Sequence, residues 1–504
     1  MKKGLELGDI EENKTITRNL NSSTRAHFYP DEDFIKNNRI IIDLTYILNP
    51  ANGRQFISPD ELDKISPLVE EKHRKLKNNQ GDCLDNGIPM LGWLNLPDEI
   101  TKSDLDDIVA AAGELSEKID VYLSLGIGGS YLGIEATVKA LTHSYFNRLP
   151  RDKRGGAPEI YFLGQNLDPD FLRDTLDMIK GKRVGINVIS KSGTTAETAI
   201  AFRIVRKLLE SWAGGKAADF IFATTDKTRG ALKKLADSKG YKTFIVPDNI
   251  GGRYSVLSDV GLVGLAMAGI DIHELAAGFR EMKKITDKSE FWHNPAKLHT
   301  AIRHLAFQKG KKIEVVATNS TSIYQLTRWM EQLFPESEGH KGNGLWVSPS
   351  MYSEKLHANG QMVQQGERNM IETFIRLRES DNDIQIPPDS ENLDGLNYLS
   401  DNNRGMNYIN QRVIDGPAYA HFKGGVPNMT IDIPRRNAFN IGQFYFMMEL
   451  SVALSGYLAG HNPFIQPGVE DYKKAMFSML GKPGMEENLK AINEDIAAVK
   501  PVVI

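Results

Sequence analysis

The chain holds 504 residues, 41% hydrophobic and 25% charged, with 61 Lys and Arg against 65 Asp and Glu for a net charge of −4. This balance excludes a disordered chain and a membrane-embedded one, and offers no dominant basic surface for nucleic acid or an anionic membrane. The length suits about two to four domains. The single cysteine, Cys83, rules out an intrachain disulfide and fits a reducing, cytoplasmic compartment.

Lys2 and Lys3 are followed by Asp9, Glu11 and Glu12 rather than an apolar core, so no signal peptide is expected. Residues 1–95 are charged and Asn-rich with short apolar islands such as Ile40-Ile41-Ile42, and read as an extension that packs on the main body. A helical pattern over 104–119 then leads into the strand Val121-Tyr122-Leu123-Ser124-Leu125, a glycine cluster, and a helical stretch over 131–141. The unit recurs as a strand over 184–189, a loop over 190–195 and an amphipathic helix over 196–209. It recurs again as a strand over 313–318 and a helix over 323–333. Further buried strands are expected over 220–225, 243–246 and 429–433.

The apolar run 260–270 lies between Asp259 and Asp271, and the longer run 444–460 contains Glu449. Roughly 20 apolar residues are needed to span a bilayer, so both read as buried helices. Continuous apolar strands alternating with helices predict an α/β protein whose parallel sheets are sandwiched by helices. We expect an extension over 1–95, α/β domains over 96–280 and 281–484, and a helical tail over 485–504.

Gly126-Ile127-Gly128-Gly129-Ser130 sits where a strand turns into a helix, a place suited to backbone N–H contacts with an anion. A dinucleotide fingerprint would need glycine at Tyr131, and a P-loop would need lysine at Ile134. A tight turn explains the loop equally well. The second loop, Ser190-Lys191-Ser192-Gly193-Thr194-Thr195, brings four hydroxyls to another strand–helix junction. Each can donate to a phosphoryl oxygen beside the helix amides. Thr194 with Glu197 also reads as a capping box, but capping needs only one hydroxyl. Lys191 adds charge nearby.

Arg253, behind Gly251 and Gly252, can be held close to a ligand, although a loop ion pair explains it as well. Pro335 is expected to end the third helix, leaving Glu336 just past its negative end as a strengthened base. Glu338 is an equal rival on chemistry alone. His357 and Lys473 are further candidates, with Lys474 an equal alternative to the latter. The 11 histidines show no metal-ligand spacing, so neither a metal nor a cofactor is expected.

Taken together, Asp248-Asn249-Ile250-Gly251-Gly252-Arg253-Tyr254-Ser255-Val256-Leu257-Ser258 resembles the arginine signature of the phosphoglucose isomerase (glucose-6-phosphate isomerase) family. The stretch 460–473, with Gln466, Gly468, Val469, Glu470 and Lys473, resembles that family's lysine signature. The likeness runs from about Gly92 to Gly484, and Gly193 in the hydroxyl loop resembles the bacterial branch.

The resemblance implies two sugar-isomerase (SIS-type) domains and the interconversion of glucose 6-phosphate and fructose 6-phosphate. By it, Glu336 is the base that moves a proton between C2 and C1, and His357 and Lys473 assist ring opening. Ser130, Ser190, Ser192 and Thr195 contact phosphate, Arg253 lies near the enediol, and Gln466 and Gly129 line the pocket. Lys191 and Thr194 belong to the same hydroxyl loop. It further implies a homodimer in which the partner contributes the histidine, with a small sugar phosphate as ligand. The rivals are another SIS-type isomerase, which would lack the two long signatures, and a silent sugar-phosphate-binding regulator, which would have lost Glu336, His357 or Lys473.

Overall fold

Short strand-forming runs close into two separate five-stranded sheets in the computed structural model, which describes residues 31–503. The strands in chain order begin with β1 (Ile41–Asp43) and the small hairpin β2 (Leu84–Asp85) and β3 (Ile88–Pro89). Then come β4 (Val121–Leu125), β5 (Glu159–Leu163), β6 (Val184–Ile189), β7 (Ile221–Thr225) and β8 (Lys242–Ile245). The last four are β9 (Ile313–Thr318), β10 (Trp346–Met351), β11 (Met370–Leu377) and β12 (Asn428–Ile433). The first sheet has the order β5-β4-β6-β7-β8 and is parallel throughout. The second has the order β1-β12-β11-β9-β10, parallel except for β1, which pairs antiparallel with β12.

β4, β6 and β7 are buried at every residue, which is why they read as unbroken apolar runs. The strands that the sequence announces poorly lie mostly at edges. β1, β5 and β10 each end a sheet, and β10 contains Pro349, which only an edge position tolerates well. β11 is central but carries Glu372 and Arg376. Glu372 accepts hydrogen bonds from Tyr352 and His421, and Arg376 pairs with Asp432. The extension does more than pack on the body, because β1 extends the second sheet.

Each sheet reverses its strand order once, between β4 and β6 and between β9 and β11. Crevices outside the carboxyl ends of strands at such reversals are the usual ligand sites of parallel sheets. Between the sheets runs the helix Ala438–Ala459, buried along almost its whole length. It packs against the helices Ile272–Lys288, Pro295–Gln308 and Tyr324–Glu338. A helix apolar all round belongs in a protein core or a membrane. Here it is core, and no helix among the described residues is long and apolar enough to cross a membrane. Burial pushes the carboxyl pKa of its one acid, Glu449, well above the usual range.

Candidate active site

Three loops project from the carboxyl edge of the first sheet, and the end of the helix Tyr324–Glu338 from the second half of the chain meets them there. The loop after β4 touches the turn carrying Arg253 backbone to backbone. A Cβ on Gly129 would stand 2.1 Å from the carbonyl group of Gly252, so only glycine permits this approach. The Arg253 turn is held from behind by rings. Tyr254 stacks on Trp93 at 5.0 Å between centroids and meets Phe464 at 5.3 Å.

Arg253 is almost wholly buried, and its guanidinium is fixed on several sides. Nε donates to Ser337 Oγ at 2.7 Å, and Nη1 donates to Glu336 Oε1 at 2.8 Å. Nη2 donates to the carbonyls of Pro463, at 2.5 Å, and Ile465, at 3.2 Å. A fork held this firmly presents a permanent positive charge at one place, which a flexible lysine could not do. The second carboxylate oxygen of Glu336 accepts from Gln332 Nε2 at 2.9 Å, one helical turn earlier.

Pro335 does not end the helix. The helix continues through it to Glu338, so Glu336 lies within the last turn rather than beyond it. Proline removes one N–H, but its own carbonyl still accepts from Gly339 at 2.9 Å. Arg253 holds Glu336 and Ser337 from one side while Arg303 holds Glu338 from the other. These partners keep the turn helical despite the lost bond.

They also separate the two rival acids. Glu338 Oε2 accepts from Arg303 Nη2 at 2.8 Å, and Arg303 Nη1 donates at 2.8 Å to the fully buried Glu314. Glu338 is thus committed to a core network and faces away from the loops. Glu336 keeps 19% of its side-chain surface accessible.

The hydroxyl loop follows β6, the strand beside β4. Gly193 has φ +73°, and a Cβ there would stand 2.3 Å from the Leu232 nitrogen, so the loop needs glycine twice over. Ser190 Oγ accepts from the Gly193 N–H at 3.0 Å, and Ser192 Oγ accepts from Thr194. The capping box of Thr194 and Glu197 does not form. Thr195 is the N-cap of the helix Ala196–Ala213, and no side chain caps that end. The first amides of the helix therefore have no side-chain cap. Ser130 lies in the neighbouring short turn Gly128–Ser130.

The remaining predicted residues are less tightly placed. Lys191 pairs with Asp248 at 3.2 Å. Gln466 is exposed just beyond the carbonyls that hold Arg253. Lys473 lies on the helix Gly468–Met479, where it pairs with Glu470 at 3.1 Å. His357 is not brought to this site within one chain. It follows β10 at the carboxyl edge of the second sheet, whereas Glu336 ends a helix running back from that edge. Fifteen residues of helix put the two ends roughly 20 Å apart.

Sequence reasoning missed Ser337 and the carbonyls of Pro463 and Ile465, because a hydroxyl in an acidic turn and two backbone oxygens leave no side-chain pattern. Among the described residues no cluster of three or more His, Cys, Asp or Glu side chains could hold a metal ion.

Residues 102–495 match the model of the family Phosphoglucose isomerase. The chain is 44% identical over 439 residues to a glucose-6-phosphate isomerase of Fusobacterium nucleatum, covering 87% of this chain and 96% of that protein. It is 42% identical over 436 residues to one of Caldanaerobacter subterraneus, covering 86% and 94%. A solved structure of a hypothetical protein from Thermus thermophilus superposes with a TM-score of 0.77 at 26% identity, covering 88% of this chain and 100% of that one. A glucose-6-phosphate isomerase from Chlamydia trachomatis shares the fold with a TM-score of 0.70 at 19% identity, covering 87% and 90%.

Proposed function

The chain belongs to the phosphoglucose isomerase family, and we propose that its active centre is the meeting point of Arg253, Glu336 and the loop over 190–195. It is an aldose–ketose isomerase that interconverts glucose 6-phosphate and fructose 6-phosphate. The observation that carries our assignment of roles is the pair of Glu336 Oε1 and Arg253 Nη1 at 2.8 Å, beside the strand reversal of the first sheet.

Isomerisation removes a proton from C2 of the open-chain aldose, forms a cis-enediol and returns the proton to C1. One carboxylate in one position can do both, and Glu336 is the partly accessible acid of the turn. The enediolate carries negative charge that the neutral sugar lacks. A fixed guanidinium therefore stabilises it more than it stabilises the substrate. Arg253 meets that requirement because its bonds to Ser337, Pro463 and Ile465 are already made, and no reorganisation is needed as charge develops.

The phosphate is held at the other end of the sugar by Ser190, Ser192, Thr194, Thr195 and the uncapped helix amides, with Lys191 adding charge. Ser130 joins them at the phosphate, and Gly129 and Gln466 line the space between. Binding energy gained at the unreactive phosphate orients C1 and C2 against Glu336.

Ring opening needs a proton delivered to O5 and one taken from O1, roles we give to His357 and Lys473. We assign His357 to the site of a second copy of the chain, since helix Tyr324–Glu338 keeps it far from Glu336 in its own chain. The enzyme then acts as a homodimer with shared sites. We further divide it into SIS-type domains over 96–280 and 281–484, with the extension and tail as flanking parts. A cytoplasmic location suits its one buried, unpaired cysteine.

The test is complementation. Glu336→Gln and His357→Ala chains, each inactive toward fructose 6-phosphate alone, should regain activity when unfolded together and refolded as mixed dimers. Mixed dimers as inactive as their parents would refute the shared site.

A further inference from the structure

Two histidines absent from the roles above stack directly behind the last turn of the helix Tyr324–Glu338. The rings of His340 and His461 lie 4.7 Å apart between centroids and only 18° from parallel. His461 follows the C-terminal glycine of the buried helix Ala438–Ala459 and is only 5% exposed. Its Nε2 lies 3.1 Å from the carbonyl oxygen of Ser337 and donates to it, since a carbonyl can only accept. Its Nδ1 is buried with no hydrogen-bond partner. His340 lies beside the carbonyls of Glu336 and Ile465, and the latter also accepts from Arg253. The stack therefore joins the turn bearing Glu336 and Ser337 to the segment that grips Arg253.

We propose that the His340–His461 stack is a positioning element. It clamps the Glu336 turn onto the Pro463–Ile465 segment, so fixing Glu336 against Arg253, and it loosens when a ring takes up a proton. This rests on the reading that Glu336 is the base.

Protonation is opposed on several sides. A proton on His461 would enter at Nδ1, where nothing accepts it, and would place a buried charge against the neighbouring ring. Lys341 lies near His461, and Arg253 lies near His340. Asp82, the Ser337 carbonyl and the end of the Ala438–Ala459 helix pull the other way for His461, as do the Glu336 and Ile465 carbonyls for His340. Burial prevails, and both imidazoles are held below the ordinary histidine range. The clamped arrangement therefore binds protons more weakly than a loosened one. It is favoured above the ordinary histidine pKa, about 6.5. It is lost as pH falls through the depressed values.

The experiment measures kcat and KM for fructose 6-phosphate from about pH 5 to about pH 8.5 in wild type, His461→Leu, His461→Gln, His340→Phe and Glu336→Gln. At the alkaline end, His461→Leu should lose kcat about tenfold with KM little changed, because the base is misplaced while the phosphate loop is not. His461→Gln, which keeps an N–H donor for Ser337, should recover most of that kcat. Both His461→Gln and His340→Phe should lose less activity toward acid than wild type, because each removes a ring that takes up a proton.

Wild-type kcat and an unchanged acid limb in His461→Leu would overturn the clamp, even if its thermal midpoint fell. Should that variant fail to fold, an unaltered acid limb in both His461→Gln and His340→Phe would overturn it instead. Glu336→Gln keeps the readings apart. Retained activity there removes the base assignment, whereas its loss beside wild-type histidine variants removes only the clamp.

Discussion

Glu336 and Glu338 sit two residues apart on one helical turn and have different surroundings. Glu336 points toward the loops of the first sheet, with Arg253 on one oxygen, Gln332 on the other and part of its surface open. Glu338 points into the second half of the chain and is sealed against Arg303, which in turn holds Glu314. The same functional group is thus available for chemistry on one face and locked into structure on the other. What decides is the neighbouring arginine's own burden. Arg253 carries its charge to the edge of the proposed ligand site, and Arg303 divides its charge between two buried acids, one of which, Glu314, burial pushes above the usual carboxylate range.

The sharpest way to break this comparison is to neutralise each acid in turn. Glu336→Gln should lower kcat by roughly 10³-fold or more, within the range expected for a lost general base, with little change in the unfolding midpoint. Glu338→Ala should do the reverse. Removing one partner of a buried ionic network costs about 3–5 kcal/mol, visible in urea unfolding, while kcat per folded molecule should stay within about threefold. If Glu338→Ala instead abolished turnover in a stable protein, the division between the two faces would be wrong.

Arg253→Lys keeps the charge but cannot reproduce the fork to Ser337, Glu336 and the two carbonyls. It should lower kcat by about 10²-fold, with a smaller change in KM, measured in a steady-state assay from fructose 6-phosphate. The smallest effect is expected farthest from the reacting carbons. Thr195→Val removes a hydroxyl at the uncapped helix end without changing shape, and should raise KM about tenfold while leaving kcat nearly intact. A fall in kcat with unchanged KM would move Thr195 from the phosphate to the reacting end of the sugar.

The parts of the molecule that could be read from sequence are those where local pattern and tertiary setting agree. β4, β6 and β9 appear in the chain as buried apolar runs and are found over those residues. The edge strand β10, with its proline, and the central strand β11, interrupted by Glu372 and Arg376, are legible only once their neighbours are known. The hydroxyl loop stands out in the sequence because its four hydroxyls exceed what capping requires, and it is found at the strand–helix junction expected of it. Pro335 misled, since a proline near a helix end is ordinarily a stop, and only the two arginines flanking the turn explain why it is not.

Sequence alone does not distinguish Glu336 from Glu338, because the arginines that set them apart, Arg253 and Arg303, lie far away in the chain. The His340–His461 stack is hidden for the same reason. Histidines in distant segments form no motif, and inspection for metal-like spacing passes over them.

The central claim is that Glu336 moves a proton between C2 and C1. Its most direct test is an NMR time course with fructose 6-phosphate in D2O, comparing wild type with Glu336→Gln. Wild type should yield glucose 6-phosphate carrying partial deuterium at C2, as expected when a carboxyl exchanges its proton with solvent between abstraction and return. Glu336→Gln should bind the substrate yet yield neither product nor deuterium exchange. Deuterium entering at the wild-type rate in Glu336→Gln would contradict the account, and the base would have to be sought on another residue of the site.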